Sequence, residues 1–199
     1  VYFVVHMKAV PLPEALLILY SERLVQKLLP RSLAVLNAND IMPANADGTL
    51  GHLQNADLFY LTGVHQEDTI LLLAPNAFDP NQREVLFVRE PNEHLAIWEG
   101  HKLTKDEAAK LSGIKNVTWL ADFPAIFRSL MCELENVYLN TNEHQRADAT
   151  VGTRDARFIR VCQKKFPLHH YQRLAPLMHE LRAVKSQYEI DAIQAACDL

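Results

Sequence analysis

Gln54-Asn55-Ala56-Asp57-Leu58-Phe59-Tyr60-Leu61-Thr62-Gly63 and, after a short loop, Thr69-Ile70-Leu71-Leu72-Leu73-Ala74 form two apolar runs. Turn-forming residues bound each run, so the stretches 57–61 and 69–74 read as neighbouring strands. Upstream, residues 32–36 form another short apolar run. Downstream, residues 84–88, 117–120 and 136–139 do the same. Helical signals alternate with them. Pro13 marks a helix start, Leu17, Tyr20, Leu24 and Leu28 recur at helical spacing, and Pro30 ends the run. Thr104 and Glu107 make a capping box for a helix reaching Leu111, and Ser186 and Glu189 make a second for a helix through Ile190, Ile193 and Cys197. Ile126, Phe127, Leu130, Met131 and Leu134 describe an amphipathic helix. Residues 154–165 describe another, with Phe158, Ile159 and Cys162 inward. The mixture predicts an α/β fold, a mixed sheet flanked by helices. Pro167 and Pro176 bracket an expected linker, so the organisation reads as a domain over 1–175. The stretch 176–199 follows as a junction, with Leu177, Leu181 and Val184 in a short helix.

Composition narrows the function. The 199 residues are 49% hydrophobic and 22% charged, with a net charge of −4. That is a globular composition rather than a disordered one. The mild acidity argues against generic nucleic-acid binding. The longest uncharged run, residues 69–78, is too short for a membrane span. Cys132, Cys162 and Cys197 form no CxxC pair and no even framework, which points to reduced thiols and a cytoplasmic setting.

Motif tests are mostly negative. The chain has no GxGxxG, P-loop, GxSxG or HExxH. His94 and His101 lack a completing carboxylate set. Residues 43–54 outline an EF-hand, but Pro43 and Gln54 stand where carboxylates are required, so a glycine turn is the better reading. Residues 146–165 carry six basic and two acidic side chains, and Arg154, Arg157, Arg160 and Lys164 share one helix face. Such a stripe is either a solvated face or a contact for an acidic partner.

Three strings in order carry a resemblance: the Gln54–Gly63 run, Trp98-Glu99-Gly100, and Leu181-Arg182-Ala183-Val184-Lys185-Ser186-Gln187-Tyr188-Glu189-Ile190. Together they resemble the N-terminal domain of Xaa-Pro aminopeptidases, in the creatinase and prolidase superfamily, over essentially the whole chain. Residues 45–50 fit as well. The resemblance implies a ribonuclease-H-like α/β domain that precedes a metal-dependent catalytic domain. Two manganese or similar ions would be held by ligands beyond Leu199, with no cofactor in residues 1–199. The parent enzyme would remove the residue before a proline at the second position of a peptide, while these residues alone would be inactive. Expected partners are the catalytic domain, further copies of the chain in an oligomer, and the peptide, with neither nucleic acid nor membrane. The resemblance places Trp98 at the substrate edge and makes Arg154, Arg157 and Arg160 candidates for a contact with a neighbouring subunit. No catalytic or metal-binding residue is expected here. Asp57 and Asp68 imitate the spacing of two family metal ligands, but the strings around them belong to the N-terminal domain. One departure is His52-Leu53, where members carry Phe-Arg. Leu cannot replace the arginine donor, although it fits a strand. An interaction module built from a peptidase domain, or the N-terminal domain of a prolidase, are the alternatives.

Overall fold

The computed structural model describes residues 12–92, 100–147 and 150–198. Its centre is a six-stranded sheet: β1 (Ser32–Asn37), β2 (Ile70–Leu73), β3 (Glu84–Val88), β4 (Val117–Trp119), β5 (Asn136–Leu139) and β6 (His170–Arg173). The spatial order is β4-β3-β2-β1-β5-β6. β1–β2 and β2–β3 pair antiparallel, whereas β1–β5, β5–β6 and β3–β4 pair parallel. The expected α/β class with a mixed sheet is what the chain adopts.

β1 and β2 are buried on both faces, which is why they read as unbroken apolar runs. Alternation along β1 divides the core. Ala34 and Leu36 join one cluster with Tyr20, Leu58, Leu61 and Met178. Leu33 and Val35 join the other with Phe127, Leu130 and Cys162. Helices α1 (Glu14–Val25), α2 (Ala56–Thr62), α3 (Lys105–Ser112) and α6 (Ala175–Ala183) cover the first face. Helices α4 (Phe123–Glu133) and α5 (Arg154–Lys165) cover the second. Helix α7 (Gln187–Cys197) follows a short elbow.

Three expectations are corrected. The stretch read as a strand over 57–61 is helix α2. Asn55 caps it, accepting from the backbone N–H of Asp57 and Leu58, and Gly63 ends it in the left-handed region at φ 65°. Leu58, Leu61 and Thr62 are its buried residues at helical spacing, together with Tyr60. The expected linker between Pro167 and Pro176 contains edge strand β6 and the start of α6. β6 is polar (His-Tyr-Gln-Arg) and is defined by its pairing with β5. Pro176 lies in the first turn of α6, where a missing N–H costs nothing. Leu53 belongs to no strand; it sits in an irregular segment, 77% exposed. Ala175, where the expected boundary falls, is the first residue of α6, whose Met178 is buried against the first face.

Candidate functional site: a polar cluster and a clasped junction

β1 and β5 are adjacent and parallel, yet the chain leaves them toward opposite faces. After β1 it goes to α2 on the first face, and after β5 to α5 on the second. The carboxyl ends of the two strands therefore lie where the chain changes layers, the usual ligand position in open α/β sheets. Here the chain's own side chains occupy it. Asn37, the last residue of β1, donates its Nδ2 to Asp155 Oδ1 at 2.9 Å. Asn140, just past β5, donates to Asp57 Oδ2 at 2.8 Å. Arg182 Nη1 donates to Asp57 Oδ1 at 2.6 Å. Asp57 lies in the first turn of α2, where its charge also suits the helix dipole.

The first turn of α5 reaches the same region. Arg154 donates to Asp68 at 2.8 Å. Arg157 holds Asp40 through both terminal nitrogens, at 2.6 and 3.2 Å. Between these two arginines, Asp155 is half-buried. Burial pushes its carboxyl up to about 6, only partly opposed by the Asn37 bond and Arg154, with Asp57 and Asp40 adding repulsion. A buried Glu67–Lys102 ion pair lies nearby. Burial opposes the Glu67 charge, but the Lys102 bond and a backbone N–H hold the carboxyl low.

The second part of the site is the junction between α6 and α7. Tyr20 on α1 donates its hydroxyl to Glu189 Oε2 at 2.6 Å and lies 3.0 Å from Ser186 Oγ. Ser186 closes the second capping box, its backbone N–H reaching Glu189 Oε2 at 2.9 Å. One carboxylate oxygen thus accepts from a phenol, a serine hydroxyl and a backbone amide. Burial works against that charge, yet these donors hold Glu189 below its ordinary range. The Tyr20 ring stacks on Tyr60 with centroids 4.1 Å apart. The Arg182 guanidinium stands 5.9 Å over the Tyr60 ring, and the Tyr60 hydroxyl points to Leu181 O at 3.4 Å. The Gln54–Gly63 and Leu181–Ile190 strings, far apart in sequence, therefore meet each other here.

The residues singled out from the sequence fare unequally. Trp98 and His94 lie outside the described residues. Arg154 and Arg157 are spent on Asp68 and Asp40 within the chain, while Arg160 and Lys164 are exposed on α5. Asp57 and Asp68 do not fit a metal pair, because Arg182 neutralises one and Arg154 the other. No group of three or more His, Cys, Asp or Glu among the described residues is placed to hold a metal. His52 lies with both ring nitrogens buried and unpartnered, edge-on to His65. Burial holds its imidazole below its ordinary range. An imidazole thus sits at this position without partners for its polar atoms. Asn37, Asn140 and Asp155 carried no motif; the buried asparagine at the end of an apolar strand was the available signal.

The family profile described as "Aminopeptidase P, N-terminal domain" matches residues 21–138, more than half of the chain. The chain belongs to this family. That match takes in Asp57 and Tyr60 and stops before Arg182. Xaa-Pro aminopeptidase of Escherichia coli (strain K12) is 25% identical over 179 residues, 89% of this chain and 40% of the relative. Xaa-Pro aminopeptidase 3 of Homo sapiens is 24% identical over 145 residues, 72% of this chain and 28% of the relative. Among solved structures, a histidine-to-alanine variant of E. coli aminopeptidase P superposes with a TM-score of 0.74 at 25% identity, covering 94% of this chain and 42% of that one. Pseudomonas aeruginosa aminopeptidase PepP gives 0.74 at 22% identity, covering 92% and 41%. The chain thus spans about two-fifths of the first of these relatives and of both structures. No helix among the described residues is long and apolar enough to cross a membrane.

Proposed function

We propose that this chain is the non-catalytic N-terminal part of a cytoplasmic, metal-dependent Xaa-Pro aminopeptidase. Family membership, with relatives named Xaa-Pro aminopeptidase that are more than twice as long, is the observation that carries the reading. On this reading the two manganese or similar ions are held by a catalytic domain that follows α7. When bound, such a pair supplies an activated water for attack on the carbonyl before proline. The work of the present residues is structural. They build the sheet domain, contribute to an oligomer and cover the substrate entrance, with Trp98 at the substrate edge. Arg160 is the member of the arginine set exposed and without an ion pair among the described residues.

The test compares residues 1–199 with the full product of the gene on a peptide with proline second, with and without Mn²⁺. The full product is expected to release the first residue only with metal, and residues 1–199 to release none. Metal-dependent cleavage by residues 1–199 alone, or none by the full product, overturns the reading.

A further inference from the structure

Helix α7 buries none of its residues. Its apolar side chains Ile190 and Ile193 are about half exposed, and Val184 in the elbow is 82% exposed. Apolar burial, which orients most helices, therefore does not set the direction of α7. Polar contacts on either side of the elbow remain. On the α6 side, Arg182 reaches Asp57 on α2, and Asp57 is itself held by Asn140. On the α7 side, Glu189 accepts from Tyr20 on α1. Tyr60, one turn along α2 from Asp57, stacks on Tyr20 and lies beneath Arg182. The two anchors thus share one rigid support, and the elbow at 184–186 lies between them.

We propose that Arg182–Asp57 and Glu189–Tyr20 are paired clasps that fix the direction in which α7 leaves the domain. Tyr20, Asp57, Arg182 and Glu189 are then positioning residues. One contact fixes a pivot, while two contacts bracketing an elbow fix an angle. Both are charge-assisted bonds, and each is partly screened from water. The Arg182 fork suits a carboxylate where a lysine supplies only a point charge. The geometry stands on this chain alone. The reading under Proposed function adds only why direction matters: whatever follows α7 inherits its orientation.

The test is a distance distribution between spin labels, one on native Cys132 of α4 and one on Ala192→Cys in α7, with Cys197→Ser removing the second exposed thiol. Cys162 is buried and its thiol is pushed up to about 12, so it stays unlabelled. Tyr20→Phe removes one clasp but keeps the ring stack, and Arg182→Gln removes the other. Each single variant is expected to raise the share of displaced distances about tenfold, the equilibrium weight of one charge-assisted bond. The double variant should lose the main distance, and Arg182→Lys should recover it in part. A double variant that folds, by circular dichroism, and keeps the parent distribution overturns the proposal. If the double variant does not fold, the singles decide: unchanged distributions in both overturn it. None of these outcomes depends on peptidase activity, so this inference and the catalytic reading fail separately.

Discussion

Asp155 shows how a single side chain can work against its own fold. It is a carboxylate in the first turn of α5, half-buried at the end of β1, with a neutral amide rather than a cation as its direct partner. Its carboxyl is raised from 3.8 to about 6, mainly by burial. An acid raised in the folded state contributes stability below its unfolded value, and that contribution is lost as pH rises through the folded one. The window therefore runs from about 4 to about 6. Asp155→Asn keeps an oxygen to accept from Asn37 and removes the charge. It should stabilise the protein at pH 7.5 by on the order of 1–3 kcal/mol and make little difference at pH 4. Urea unfolding at the two pH values measures this, and a gap that does not change with pH would sink the idea. Nothing in the sequence announced the pair. Asn37 and Asp155 are 118 residues apart, and a hydrogen bond between distant residues leaves no periodic trace. Arg182 and Asp57, 125 apart, are the same case. The resemblance marked both strings but not that they touch.

Elements were legible where their cause is local. The capping boxes at Thr104 and Ser186 form as the sequence indicates, because donor and acceptor lie three residues apart. β3 and β5 fall on residues 84–88 and 136–139, their apolar runs. α5 spans its expected 154–165. Helix α2 reads as a strand because four consecutive apolar residues, Leu58 to Leu61, cannot separate a period of 2 from one of 3.6. Its caps, Asn55 and Gly63, were the better evidence. β6 carries no apolar signal at all, since an edge strand is defined by its neighbour. Helix ends also carry a test of how tightly elements approach. Gly113 follows α3 at φ 75°, and a Cβ there would stand 2.7 Å from Glu14 Cγ and 3.0 Å from Ile18 on α1. Gly113→Ala meets both backbone strain and a collision between helices, and should cost about 1–3 kcal/mol. Gly51→Ala meets nothing within 4 Å, needs no positive φ, and should fall within about 0.5 kcal/mol of the parent. Equal midpoints for the two variants in thermal or urea melts would show that α1 and α3 are not packed as described.

At the scale of the molecule, one sheet serves two cores. Alternate residues of β1 and β5 face opposite clusters: Leu33, Val35 and Val137 toward α4 and α5, and Ala34, Leu36 and Tyr138 toward α1, α2 and α6. Neither layer of helices can leave without exposing strands that the other layer needs covered, so the two clusters should unfold together. Leu58 on α2 and Leu130 on α4 are both fully buried, one in each cluster. Leu58→Ala and Leu130→Ala should each lower stability by about 2–5 kcal/mol. Both should shift one common urea transition without changing its slope. Far-UV circular dichroism and intrinsic fluorescence should report the same midpoint in every variant. α7 stands outside this unit, since it buries nothing. Two separable transitions, with one variant moving only one of them, would mean that the sheet does not couple its faces. The domain would then be two stacked layers rather than one cooperative support for the junction.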